Sequence, residues 1–157
     1  MKTKYQKLYN QNIKDFGHLS DEQIMGLTIY AEARGEPREG RIGVGSTILE
    51  RVDHRDWDGT TIKSVCLWPK QFSCYLPGDK NREPLLFIAR DFGNACLKAK
   101  SLRECVDIAK GMIEGSIPRN TTALQYLNPL LAEKTKKKWL AAGMEIVMKA
   151  GNHEWFA

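Results

Sequence analysis

The sequence predicts an α+β domain, mainly helical, with a small β hairpin or sheet. Three observations predict it. Apolar residues recur at three- and four-residue spacing in four stretches between residues 20 and 114, as the buried face of an α-helix requires. The C-terminal stretch 145–157 instead reads as two short strands around a turn at Ala150 to Asn152. The 157 residues suffice for one domain with a hydrophobic core, and no repeat, low-complexity tract or long linker divides them.

The elements follow in chain order. Ser20 and Gln23 form a capping-box pattern, and Asp21 and Glu22 suit the positive end of a helix dipole. Ile24, Leu27, Thr28 and Ala31 continue that helix over about 20–34, and Gly35 and Pro37 stop it. A second helix fits 38–52, with Ile42, Gly45, Leu49 and Val52 on one face. Gly40, Gly43 and Gly45 each cost such a helix up to about 1 kcal/mol against alanine, which predicts another backbone packed close against it. Residues 53–60 read as a polar turn and the β-branched stretch 61–67 as a short strand. Residues 68–84, rich in Pro, Gly and Asp, read as a long loop, and loops of that length are commonly functional. Ile88, Phe92, Ala95 and Ala99 predict a helix over 84–99; Leu102, Val106, Ala109 and Ile113 predict another over 101–114. Residues 120–129 read as extended or looped, and Asn128 with Pro129 predicts the start of a helix over 129–142.

Net charge is +5, which favours a polyanionic partner such as nucleic acid, an anionic membrane face or a cell wall. Lys134, Lys136, Lys137 and Lys138 concentrate it, as a solvated helix face or a binding patch. The four cysteines, Cys66, Cys74, Cys96 and Cys105, contain no C-x-x-C pair, so no metal site is expected. No apolar run approaches the roughly 18 residues of a membrane span, and the N-terminal stretch has no signal-peptide core. The chain is therefore expected to be made in a cytoplasm without a signal peptide.

One carboxylate stands out. Glu32 lies among Tyr30, Ala31 and Ala33 in the last turn of the first helix. The negative end of the helix dipole and an apolar setting both hold its proton more tightly. A carboxylic acid still protonated near neutral pH suits general acid catalysis. The competing reading is an ion pair with Arg34 or Arg38 that only braces the turn. Glu36 is the obvious partner for two-carboxylate sugar cleavage, but Gly35 and Pro37 break the helix around it, which favours a local bond to backbone or Arg34.

Tyr-Ala-Glu-Ala-Arg-Gly-Glu, 30–36, resembles the signature of the SleB-type cell-wall hydrolases, the spore-cortex-lytic enzyme family. Further pieces occur in the family's order. Residues 43–52, ending in Glu50-Arg51-Val52, resemble its small-residue helix. Gln71-Phe72-Ser73, then Tyr126-Leu127-Asn128-Pro129, then Trp139, then residues 151–156 around His153, resemble later family segments. Leu124-Gln125 stands where the family usually has Thr-His, so no role of that histidine carries over. Coverage runs from about residue 20 to the end, which leaves 1–19 as an N-terminal extension and 20–157 as the catalytic domain.

The resemblance implies a lysozyme-like, lytic-transglycosylase-like fold. It implies cleavage of the β-1,4 bond between N-acetylmuramic acid and N-acetylglucosamine, with Glu32 as general acid and then base. In the lytic transglycosylase version the muramyl C6 hydroxyl attacks, a 1,6-anhydro sugar forms, and no second carboxylate or cofactor is required. Gln71, Ser73 and Asn128 are then expected to bond the glycan, with a helix cap as the other reading of Asn128, and Tyr126 to bond either an acetamido group or the acid itself. Phe72 reads as core plug or sugar platform. His153 reads as a proton shuttle, a ligand or a structural hydrogen-bonder. Arg34 and Glu36 are possible supporting residues. Of Trp57, Trp68, Trp139 and Trp155, Trp68 is the best cleft candidate. The expected partner is peptidoglycan glycan, without nucleic acid or membrane, and the expected state is a monomer. A phage endolysin, made in the host cytoplasm and acting on the wall after release, fits these expectations. The alternatives are a hydrolytic muramidase, a wall-binding protein without activity, and a basic nucleic-acid-binding module.

Overall fold

The computed structural model describes residues 3–54 and 59–157. Trp57 and half of the predicted polar turn, residues 55–58, lie outside the described residues. Among the described residues, helices dominate and one three-stranded sheet forms, as the sequence predicts.

The organising element is helix α2 (Asp21–Ala33), entered through the predicted capping box of Ser20 and Gln23. Ile24 to Ile29 are buried without interruption, so this helix is covered on all sides rather than laid on a core by one face. It packs against α7 (Lys100–Glu114), α3 (Arg38–Asp53) and α4 (Ile62–Leu67). At Gly26 the backbone of α7 comes so close that an added Cβ would stand 2.7 Å from Val106 Cα. The central helix ends at Glu32 and Ala33, so the fold carries Glu32 out of its core at a helix terminus.

Several local expectations are corrected. Residues 61–67 are not a strand: Thr61 and Ser64 form a second capping box that starts α4, and it overrides the β-branched composition. The helix expected over 84–99 is two, α5 (Arg82–Arg90) and α6 (Phe92–Lys98), because Asp91 leaves helical geometry and its carboxylate caps Asn94 N–H at 3.4 Å. The helix expected from Pro129 begins later, as α8 (Glu133–Ala141), since Asn128 Oδ1 closes a tight turn onto Leu130 N–H instead. In α3 the deepest residues include Val44, Thr47, Ile48 and Arg51 rather than the row Ile42, Leu49, Val52. Gly43 and Gly45 of α3 receive side chains rather than a backbone: a Cβ on Gly43 would meet the Trp155 indole at 2.4 Å and one on Gly45 the Met112 sulfur at 2.6 Å, while one on Gly40 would stand 3.2 Å from Glu36 Cβ and 3.6 Å from the Ala150 main-chain oxygen.

Residues 4–16, placed in the extension by the sequence analysis, form helix α1 (Lys4–Phe16). Phe16 is fully buried edge-on to Tyr75, with centroids 5.0 Å apart. Asn12 Nδ2 donates to Leu67 O at 2.8 Å, and Arg82 binds both Asn12 Oδ1 and Asp15. The predicted hairpin is present as β2 (Ile146–Ala150) and β3 (His153–Phe156), and β1 (Gln125–Leu127) adds to it antiparallel in the order β1-β3-β2. Tyr126 stands opposite Trp155. All of β3 is buried, as befits a middle strand that also packs on the core. Cys66, Cys74 and Cys105 are buried free thiols and Cys96 is half-buried. Burial pushes the Cys66 thiol up to about 12, which makes it inert.

Candidate active site

The site is assembled by hydrogen bonds that tie the segment before β1 to α3. Thr47 Oγ1 donates to Ala123 O at 3.0 Å, Arg51 Nε to Leu124 O at 3.0 Å, and Asn120 N–H to Ser46 Oγ at 3.1 Å. These anchors aim β1 at the end of α2. There the Tyr126 hydroxyl donates to Glu32 Oε2 at 2.9 Å, across 94 residues of sequence. The Tyr126 ring is held edge-on to His153, centroids 5.4 Å apart, and tilted against Trp155 at 5.5 Å.

Glu32 is partly buried and opens on a cleft of about 400 Å³. Burial raises its pKa above the ordinary carboxylate value. The Tyr126 hydrogen bond and the positive charge of Arg51 oppose that rise without cancelling it, and Asp79 adds to it. Tyr126 is itself raised well above its ordinary value, chiefly by burial, so its hydroxyl keeps its proton and is the donor. No lysine or arginine lies within 4.0 Å of the Glu32 carboxyl among the described residues, so the ion pair with Arg34 or Arg38 does not form. Arg34 is exposed, with its guanidinium over the Tyr30 ring at 5.2 Å.

Glu36 also borders the cleft, but both its oxygens are engaged at the hairpin turn. Oε2 accepts from Asn152 N–H at 2.9 Å and Oε1 from Asn152 Nδ2 at 3.3 Å. Gly151, at φ 56°, lets this carboxylate lie against the turn; a Cβ there would stand 1.8 Å from Oε2. His153 Nδ1 lies 4.0 Å from Glu36 Oε1 with no hydrogen-bond partner among the described residues, and burial lowers its pKa, so the ring is neutral near pH 7.

The cleft brings together Glu32, Glu36, Ser73, Tyr126, Asn128 and His153 of the predicted residues. Ser73 is exposed on the first turn of a 3₁₀ helix (Ser73–Tyr75), while Phe72 before it is buried under the Arg51 guanidinium, 5.1 Å from the ring centroid. Phe72 is therefore the core plug. Gln71 is fastened to Arg51, whose Nη1 donates to its main-chain and side-chain oxygens at 3.3 Å each. Trp68 does not border the Glu32 cleft; it faces a separate groove beside α1. Trp139 packs edge-on to Phe156 and Trp155 is core. The lysine run is partly neutralised, with Lys136 bound to Glu154 at 2.8 Å and Lys137 to Glu133 at 3.0 Å.

Five cleft residues were not among the predicted site residues: Ala31 and Leu127, which lie within the recognised motifs, and Asn81, Leu131 and Ala132. Asn81 carried a signal, as the close of an Asp79 turn in which its N–H binds Asp79 Oδ1 at 2.8 Å. Arg51 was in view within Glu50-Arg51-Val52, yet nothing in its spacing marked it as the cation behind Glu32. A neighbouring polar cleft of about 460 Å³ lies beyond Glu36, between Arg38, Arg41 and Glu104. Its acid, Glu104, is bound by Arg41 at 2.9 Å, which holds that carboxyl below the ordinary range and unsuited to giving a proton.

A family model described as Cell Wall Hydrolase matches residues 35–156. The spore cortex-lytic enzyme of Oceanobacillus iheyensis is 35% identical over 74 residues, which cover 43% of this chain and 26% of that protein. That of Bacillus cereus is 34% identical over 59 residues, covering 38% and 22%. The matched segments thus span about a quarter of these relatives. Among solved structures, the catalytic domain of the germination-specific lytic transglycosylase SleB from Bacillus anthracis superposes with a TM-score of 0.62 at 25% identity, over 89% of this chain and 98% of that one. The Bacillus cereus SleB catalytic domain gives 0.60 at 24% identity, over 87% and 89%, which matches the fold.

Proposed function

The chain belongs to the cell wall hydrolase family, and we propose that it cuts the β-1,4 bond from N-acetylmuramic acid to N-acetylglucosamine in peptidoglycan, with Glu32 as general acid and base. One observation carries this reading. Glu32 is a carboxyl with a raised pKa, at the edge of a cleft, with one oxygen already occupied by a tyrosine hydroxyl. With Oε2 accepting from Tyr126, the proton of the neutral acid resides on Oε1. That oxygen gives its proton to the glycosidic oxygen as the bond to the muramyl anomeric carbon breaks. The carboxylate so formed keeps the Tyr126 hydrogen bond, now charge-assisted and stronger than before. Stabilisation that grows as charge develops is what lowers a barrier.

The second half of the reaction follows from Glu36. Its oxygens are committed to Asn152, so it is poorly placed to serve as nucleophile or to activate a water. We therefore favour the transglycosylase course. The muramyl C6 hydroxyl bonds to the anomeric carbon, its proton passes to the Glu32 carboxylate, and a 1,6-anhydro end leaves with the acid restored. A net charge of +5 assists encounter with anionic wall polymers. The test is mass spectrometry of purified sacculi digested with the protein. Anhydromuramic ends are expected; reducing ends heavier by one water would move the reading to a hydrolytic muramidase, and uncut glycan would overturn it.

A further inference from the structure

A second concave surface, about 280 Å³, lies between α1 and the loop after α4. It is lined by Tyr5, Trp68, Pro69, Lys70 and Gln71. Tyr9 backs it, its ring centroid 5.0 Å from that of Trp68. Tyr5 is 39% exposed, and Lys70 Nζ sits 4.7 Å above its ring. Lys70 is the one described residue other than glycine with positive φ, at 73°. Lysine has no intrinsic use for that conformation, which strains an L side chain and is retained where surroundings impose it. Here it turns the loop so that Trp68, Lys70 and Gln71 share one groove.

The groove lies close to the Glu32 cleft along the chain. Gln71 is in the groove and Ser73 is in the cleft, two residues and therefore at most about 7 Å of backbone apart. Arg51 clamps Gln71 at this junction and also supplies the charge behind Glu32. Aromatic faces with polar groups at their rim match a pyranose ring, whose C–H face is apolar and whose edge carries hydroxyls and acetamido groups. An ammonium beside them suits the carboxylates of wall polymers. Tyr5 on one wall and Tyr9 behind it come from α1, which precedes the region matched by the family model.

We propose that Tyr5, Trp68 and Lys70 form a distal saccharide subsite that holds the same glycan strand cut at Glu32. The subsite rests on the glycan-cleaving reading above and adds to it a preference for long strands. The test uses the full chain carrying Glu32→Gln, so that ligand is not consumed, titrated with a dimer and a hexamer of β-1,4-linked N-acetylglucosamine. Tyr5→Ala and Lys70→Gly are compared with that parent; the glycine suits the positive φ, so the loop keeps its shape. Each is expected to weaken hexamer binding about 2- to 10-fold, the range for one aromatic contact, and to leave dimer binding and the circular dichroism spectrum unchanged. Hexamer affinity equal to the parent's in both variants would overturn the subsite. So would an equal loss for the dimer, or a parent that does not favour the hexamer. Digestion of sacculi by the chain with Glu32 intact separates the two claims. Sacculi cut normally with hexamer binding unaffected defeats the subsite alone, and sacculi left intact defeats the cleavage reading.

Discussion

Replacing Tyr126 by phenylalanine removes one atom from the site and isolates what the hydroxyl does. The ring contacts with His153 and Trp155 survive, so the fold is expected to hold. What is lost is the 2.9 Å hydrogen bond to Glu32 Oε2. A hydrogen bond to a charged group contributes about 1.5–3 kcal/mol and one between neutral groups about 0.5–1.5. Only the difference, roughly 1–1.5 kcal/mol, favours the transition state over the protonated ground state. At 1.36 kcal/mol per factor of ten, the maximal rate falls about 5- to 13-fold. The hydrogen bond also lowers the Glu32 pKa, so its loss moves the alkaline limb of the rate profile to higher pH. Release of muropeptides from sacculi, followed across pH with both proteins, measures both effects. A variant with the wild-type rate and an unmoved alkaline limb would refute the assignment of Tyr126 as the group that holds the acid.

Three other outcomes are expected. Burial raises the Glu32 pKa, so this group's contribution to stability is intact below its ordinary value of 4.5 and declines as pH rises through the folded value. The unfolding free energy of Glu32→Gln minus that of wild type should therefore grow with pH in that window by urea titration; a flat or falling difference would contradict a raised pKa. Gly151→Ala adds a Cβ 1.8 Å from Glu36 Oε2 at a backbone φ of 56°, and should cost about 1–3 kcal/mol in the same assay. An unchanged midpoint would show that Glu36 does not clamp the turn. Phe16→Ala should cost about 3–5 kcal/mol if α1 is part of the core, and a loss under about 1 kcal/mol would make that helix an appendage.

How much the sequence disclosed depended on the range of the interactions involved. Helices α2 and α3 could be read closely because their starts and stops are local: a capping box, a Gly-x-Pro break and apolar spacing. The same capping signature at Thr61 and Ser64 went unread, because β-branched neighbours gave a competing local signal. Asn128 was expected to cap a helix from Pro129, but its side chain instead closes a turn four residues ahead of that helix's actual N-cap, Ala132. Glu32 stood out since its apolar setting is visible in four adjacent residues. Its hydrogen bond to Tyr126 spans 94 residues and no spacing rule reaches it. Family order placed that tyrosine among the site residues, while the hydroxyl's bond to the acid was only one of two partners considered. Trp68 shows the opposite failure. Its residue type suggested the cleft, and only the packing of α1 reveals that it faces another groove.

The most direct measurement compares wild type with Glu32→Gln on purified sacculi, with circular dichroism confirming that both are folded. The substitution keeps the shape and the Tyr126 hydrogen bond while removing the transferable proton. Muropeptide release should fall by at least about 100-fold, the low end of what a positioned general acid contributes. Release at the wild-type rate by the folded variant would contradict the account at its centre.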